Sequence, residues 1–272
     1  MKSILVPTND LDNLESVFAV AERLRARIDG WLEAAHFHTD PSAIMATDDS
    51  GAALPALVER FEREDSRRAA EARHLFDAFA EAAGLGDRAV WSESETGLDN
   101  LGNYARVYDV VVVGRPVKGA AGPSLGTLET ALFDSGQVVL VVPPGSPTAL
   151  GRNVLIAWNG SSETARTIRA GLDLLRLAEE VTVLTVTGMT VPGPTGEAVA
   201  RQLRREGIDA GSLVVEAGLG ESGHKTLEIA SERDADLLVK GGYTRGRLRQ
   251  ALFGGPTNHI LFNATLPVLM AH

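Results

Sequence analysis

The residues best equipped for chemistry lie near the carboxyl end of the chain. Lys240-Gly241-Gly242-Tyr243-Thr244 is followed by Arg245, Arg247 and Arg249, and then by Gly254-Gly255-Pro256-Thr257-Asn258. Glycine lets backbone approach a ligand closely, and Gly254-Gly255 ahead of Pro256 opens a helix with free N–H groups, which suits phosphate oxygens. The three arginines add positive charge beside it. Ala157-Trp158-Asn159-Gly160-Ser161 is a second polar turn after an apolar run. Taken singly, these are ordinary turn glycines and a solvated basic loop; their convergence on one edge would make a site for a phosphate-bearing ligand.

Two other constellations are weaker. His36 and His38 sit two apart at a strand end, so both imidazoles share one face, with Asp40 close behind. That spacing could ligate zinc, but two histidines do not make a site without further ligands, and the expectation is a hydrogen-bonded pair with no metal. Ser161-Ser162-Glu163 precedes a helical period and reads as an N-cap with an acidic first turn, not as a nucleophile.

Composition narrows the chemistry. The chain of 272 residues is 44% hydrophobic and 23% charged, with a formal charge of -10 and no cysteine. Thiolate metal sites, disulfides and a cysteine nucleophile are excluded, and an electrostatic grip on nucleic acid is disfavoured. No apolar run is long enough to span a bilayer, and MKSILVPTND meets Pro7 and Asp10 before any signal-type core develops, so a cytoplasmic protein with no membrane contact is expected.

The elements that must position these residues are read from period. Ile4-Leu5-Val6, Val110 to Val113, Val138 to Val142 and Val154-Leu155-Ile156 are continuous apolar runs, the mark of strands buried on both faces of a parallel sheet. Strands are predicted at 3–8, 31–37, 89–95, 109–115 and 138–143, and again at 153–158, 181–187, 212–217, 236–241 and 267–271. Helices are predicted between them at 13–29, 54–83, 98–107, 127–135, 162–179, 196–207, 222–233 and 255–264. Pro143-Pro144-Gly145-Ser146-Pro147 can carry neither helix nor central strand, which places one domain at 1–145 and another at 151–272. The halves repeat in residues too: Lys2 to Asn9 lies over Arg152 to Asn159 at an offset of 150, and Asp109 to Pro116 over the segment from Asp236 at an offset of 127. The first half therefore carries 23 extra residues, assigned to the loop from His38 to Ala53 and to a longer second helix.

Gly241 to Arg249, Phe253 to Asn258 and the opening Ala157 to Ser161 together resemble the carboxyl half of tandem universal stress proteins, and both halves fit that family's five-stranded pattern. The resemblance implies an α/β fold of two Rossmann-like, adenine-nucleotide-hydrolase-like domains packed as a pseudo-dimer, and a stress-response role. In nucleotide-binding members it implies a motif of Gly, two residues, Gly, nine residues, Gly, then Ser or Thr. Here those positions are Gly241, Thr244, Gly254 and Gly255, so the second and fourth depart from the pattern. Asn159 stands where an acidic residue is often found. The first half departs further, with Gly119 and Gly122 out of register and Glu129 at the start of its last helix, and is read as a scaffold or partner surface without a nucleotide site.

The resemblance thus implies ATP, with Mg2+ alongside, in the second half. Adenine and ribose are expected against Ala157, Trp158, Asn159, Val186 and Thr187, and phosphates along Gly241, Gly242, Thr244, Arg245 and the helix-opening segment Gly254, Gly255, Pro256, Thr257 and Asn258 with its N–H groups. Pro256 has no N–H, and Thr257 supplies a hydroxyl in place of the one missing at Gly255. No Walker loop or other group-transfer arrangement is present, so an enzyme is not expected. The alternatives are an interaction protein with both sites degenerate and, behind it, a slow nucleotide hydrolase. An unidentified protein partner is implied, the last strands of the two halves are expected to pair internally, and a higher homo-oligomer is left open.

Overall fold

The computed structural model describes residues 1–38, 55–116, 123–145, 149–188, 190–218, 220–242 and 255–272. The first half runs β1 (Ser3–Pro7), α1 (Leu14–Ile28), β2 (Trp31–Phe37), α2 (Pro55–Ala82), β3 (Ala89–Ser94), α3 (Leu101–Ala105), β4 (Val110–Gly114), α4 (Pro123–Asp134) and β5 (Val138–Val142). The second runs β6 (Asn153–Ala157), α5 (Ser162–Ala170), α6 (Leu172–Leu175), β7 (Glu180–Val186), α7 (Gly196–Arg205), β8 (Ala210–Val215), α8 (Ser222–Glu232), β9 (Leu237–Gly241), α9 (Pro256–Asn263) and β10 (Val268–Ala271).

The strands form one ten-stranded sheet in the order β3-β2-β1-β4-β5-β10-β9-β6-β7-β8. Neighbours within each half are parallel, as the continuous Val and Ile runs require, because helices cover both faces. The seam alone is antiparallel: Val141 opposes Val268, Leu140 opposes Leu269 and Val139 opposes Met270. The expected internal pairing of the two last strands is thus present, and it removes two long apolar edges. Each half reverses strand order once, between β1 and β4 and between β6 and β9, and ligands of such sheets collect beyond the carboxyl ends of those strands.

The repeat seen in the residues has a structural counterpart. Asp109 accepts from the backbone N–H groups of Lys2 and Ser3, and Asp236 accepts from those of Arg152 and Asn153, so an aspartate ahead of the fourth strand clamps the start of the first in both halves. Most of the added length lies in α2, which has 28 residues against 10 in α7. The helix expected over 162–179 is broken at Gly171, where a Cβ would lie 2.9 Å from Leu269 Cδ2. The helix expected over 98–107 is a 3-10 turn, Leu98–Asn100, followed by the short α3. β8 begins two residues earlier than its pattern suggests, because β7 pairs with it from Val181 opposite Ala210 to Val186 opposite Val215.

Side chains also cross the seam. Arg115, just after β4, donates through Nη1 to the carbonyls of Phe262 and Ala264 at 2.9 and 3.0 Å, and Arg27 donates to Gly151 O at 3.1 Å. The α-amino group of Met1 lies 2.7 Å from Asp173 of α6.

Candidate functional site

At the carboxyl ends of β6, β7 and β9 lies a cavity of about 160 Å³ whose walls are the ends of these strands and the first turns of α8 and α9. Its apolar side is Ala157, Leu184, Val186, Val191 and Ile260; its polar side is Asn159, Ser222, Thr226, Lys240 and Thr257. Drug-sized ligands occupy roughly 300 to 1,000 Å³, so this volume suits one ring system, with anything larger continuing over the rim at Gly242 and Pro256.

Lys240 gives the cavity its character. Strand alternation turns it towards α8 and α9, where it is 9% exposed, and its ammonium donates to Thr257 Oγ1 at 2.7 Å and to Gly241 O at 3.0 Å. No carboxylate neutralises it among the described residues. Burial alone pushes its pKa down from the ordinary lysine value to about 8. Ser222, at the start of α8, is 4% exposed and its Oγ has no hydrogen-bond partner. Both helices present N-terminal turns here, since a Cβ on Gly223 of α8 would lie 2.8 Å from Pro256 O of α9. A buried cation, two helix N-termini and an unpartnered hydroxyl all favour an anion.

The residues named from sequence divide. Ala157, Trp158, Asn159, Val186, Gly242, Pro256 and Thr257 line the cavity, whereas Thr187, Gly241, Gly255 and Asn258 do not. Thr244, Arg245 and Gly254 lie outside the described residues, as do Arg247, Arg249 and Asp40.

Several expected roles change. Gly241 is glycine because of internal packing: a Cβ there would lie 2.6 Å from Thr164 N of α5. Gly242 likewise faces Ala271 O, 2.8 Å from its would-be Cβ. The indole of Trp158 belongs to the core under α5 and α7, and its Nε1–H is donated to Pro194 O at 2.8 Å. Asn159 Oδ1 already accepts from Ser161 N at 3.1 Å and from Thr164 Oγ1 at 2.9 Å, which leaves its amide N–H groups, and not its oxygen, for a ligand. Gly255 has φ 110° and ψ 157°, backbone that glycine alone adopts without strain, so the hydroxyl residue of the family pattern does not fit this conformation. Thr257 is as expected, a hydroxyl at the start of α9 that accepts from Lys240 and keeps its own proton to donate. Ser161 is the N-cap of α5, accepting from Thr164 N.

Ser222 and Thr226 were not among the expected site residues, and Lys240 stood only within the segment expected at the site's edge, with no role of its own. Lys240 nevertheless left a trace in the sequence, as a single charge inside Leu237-Leu238-Val239-Lys240, a strand otherwise apolar.

A second cluster sits at the carboxyl end of β2, on the face covered by α2. His38 Nδ1 lies 2.7 Å from Asp65 Oδ2, and His36 Nε2 lies 3.7 Å from Asp65 Oδ1. Glu93 of β3 approaches His38 Nε2 at 3.2 Å, and Thr8 Oγ1 lies 3.4 Å from His36 Nδ1. Burial holds His36 below the ordinary imidazole value; for His38 burial is outweighed by hydrogen bonds to Asp65 and Glu93, which hold it above.

Comparison with known proteins follows the same division into halves. Residues 151–272 match the model of the universal stress protein family. No curated protein matches the chain. A solved universal stress protein from Archaeoglobus fulgidus DSM 4304 is 18% identical, with a TM-score of 0.70 over 99% of this chain and 95% of that one. A functionally unknown protein from Pseudomonas aeruginosa PAO1 is 16% identical, with a TM-score of 0.57 over 100% of this chain and 92% of that one. These structural likenesses establish a shared fold across both halves. Among the described residues, no helix is long and apolar enough to cross a membrane.

Proposed function

Residues 151–272 belong to the universal stress protein family and the first half is built on the same fold, and from that premise we propose that the second half is an adenine-nucleotide-binding module. The observation that carries this reading is Lys240, a buried ammonium without a carboxylate, aimed at the first turn of α9 beside an apolar recess of ring size. The recess between Ala157, Leu184, Val186 and Val191 takes the base, with the Asn159 amide at the sugar. The phosphates run past Gly242 towards Thr257, where Lys240 and the two helix N-termini supply positive potential. A divalent ion such as Mg2+ would travel with the phosphates, because no carboxylate lines the cavity among the described residues. The same lack of a carboxylate to activate water favours binding over turnover: a stress-response protein whose contacts with partners respond to the nucleotide.

Calorimetric titration of the full chain with ATP tests this. Saturable binding is expected, weakened at least tenfold in Lys240→Met and unaltered in Lys2→Met. No heat at millimolar ATP would remove the reading. Binding that leaves Lys240→Met untouched would move the site elsewhere.

A second reading, an interaction protein without a ligand, is favoured by Gly241 and Gly242, whose missing side chains are both explained by packing within the domain. It requires that ATP fail to bind and that both halves act through their surfaces. The third, slow hydrolysis, would show as phosphate release that Lys240→Met abolishes.

A further inference from the structure

The cluster on β2 is built as a ligand set with a support shell. His36 and His38 point to the same face because strand side chains alternate, and their rings stand 5.1 Å apart. Asp65 reaches them from α2, where it shares a stripe with Ala69, Ala72 and Phe76, the buried residues that face the sheet. A carboxylate at such a position has to be compensated. One ligand atom from each of His36, His38 and Asp65 can be chosen so that all lie within 4.8 Å of one another. A tetrahedral ion with ligands at 2.0 to 2.1 Å separates its ligand atoms by about 3.4 Å, close to the 3.7 Å between His36 Nε2 and Asp65 Oδ1.

Hydrogen bonding alone does not account for the arrangement. His36 is fully buried, yet its Nε2 has no hydrogen-bond partner, and a buried ring nitrogen normally has one. The other ring nitrogens are the ones with orienting partners. His36 Nδ1 faces the Thr8 hydroxyl, and His38 Nε2 faces Glu93, whose second oxygen accepts from Trp91 Nε1 at 2.9 Å. Metal-bound histidines commonly donate their far nitrogen to a hydroxyl, carbonyl or carboxylate in this way, which fixes the tautomer that leaves a lone pair towards the ion. The pair of carboxylates, Asp65 and Glu93, balances a double positive charge.

We propose that His36 Nε2, His38 Nδ1 and the Asp65 carboxylate bind a divalent first-row transition-metal ion, with Glu93 and Thr8 as positioning residues. Two imidazoles and a carboxylate with no thiolate suit zinc, cobalt or nickel rather than the all-oxygen cations, and three protein ligands leave a further position for water or an anion. On binding, the ion displaces the proton between His38 and Asp65, and their 2.7 Å separation opens to ligand spacing. The side chain of His38 is 21% exposed and that of Asp65 11%, so an ion can enter from the rim. This site belongs to the half without the nucleotide cavity and does not depend on ATP.

The test uses the metal-stripped full chain and Zn2+ in competition with a chromophoric chelator, with Co2+ absorption as a second readout. One equivalent of Zn2+ is expected, with Co2+ giving the visible bands of a four- or five-coordinate site. Asp65→Asn, which preserves volume, and His38→Ala should each weaken Zn2+ at least tenfold, and Glu93→Gln should weaken it less. The double variant His224→Ala/His259→Ala removes the other close imidazole pair, whose rings are 5.9 Å apart, and should bind as the parent does. Absence of binding tighter than about 100 μM in the parent would overturn the proposal. So would binding unchanged in both Asp65→Asn and His38→Ala, or binding lost in the His224/His259 variant instead.

Discussion

The guanidinium of Arg115 donates to the carbonyl of Ala264 at 3.0 Å, so a residue of the first half caps the carboxyl end of the helix whose other end forms the cavity of the second. The equivalent position in the second half is Gly242, which serves the cavity instead. One position of the repeat is therefore a cross-seam cap in one half and part of a cavity rim in the other.

Arg115→Ala should lower the stability of the whole chain by roughly 1 to 3 kcal/mol, because two charge-assisted hydrogen bonds and a favourable charge at a helix carboxyl end are lost together. Urea unfolding measures it. A midpoint equal to the parent's would mean that Arg115 contributes nothing to holding the seam.

Lys240 makes stability depend on alkaline pH in a defined direction. Its folded value of about 8 lies below the unfolded 10.5, so below pH 8 both states carry the proton and the burial penalty is complete. As pH rises from about 8 to 10.5 the folded chain sheds its proton first and gains stability, by roughly 3 kcal/mol in all. Lys240→Met lacks this gain. The difference in unfolding free energy between parent and variant should shift in the parent's favour over that window, and a difference independent of pH would contradict the burial of the ammonium.

Gly241→Ala should cost roughly 1 to 3 kcal/mol, since its Cβ would press on backbone and hydroxyl of Thr164 rather than on a pliable side chain. Gly255→Ser should cost a similar amount for a different reason, backbone strain at φ 110°. Restoring the family's serine at 255 is therefore a poor way to strengthen nucleotide binding, and the variant should bind ATP no better than the parent. A Gly255→Ser protein of full stability and raised affinity would refute this.

Ser161→Ala should lose about 1 kcal/mol through the N-cap of α5. It should also loosen Asn159 by way of Thr164, whose Oγ1 lies 3.2 Å from Ser161 Oγ and donates to Asn159 Oδ1 at 2.9 Å. Thermal unfolding and ATP titration together separate the two effects.

The strands were legible because burial on both faces demands uninterrupted apolar residues, and Val110 to Val113 or Val138 to Val142 permit little else. The site was less so. A glycine at a strand end looks the same whether a ligand or a neighbouring helix needs the space, and at Gly241 it was the helix. Lys240 was visible as a charge in an apolar strand, but strand period alone does not say whether such a side chain faces helices or solvent. His36 and His38 were read correctly as sharing a face, while Asp65 stands 27 residues from His38 on another element, and only the packing of α2 on the sheet brings it in.

The antiparallel seam between β5 and β10 has a consequence for how the molecule meets its surroundings. All strands of one half run opposite to those of the other, so their carboxyl ends emerge on opposite rims of a single slab. The imidazole cluster of β2 and the lysine-lined cavity of β6 and β9 therefore face away from each other. A macromolecule docked on one rim would leave the other open to small solutes, and occupancy of either site would not block the approach to the other.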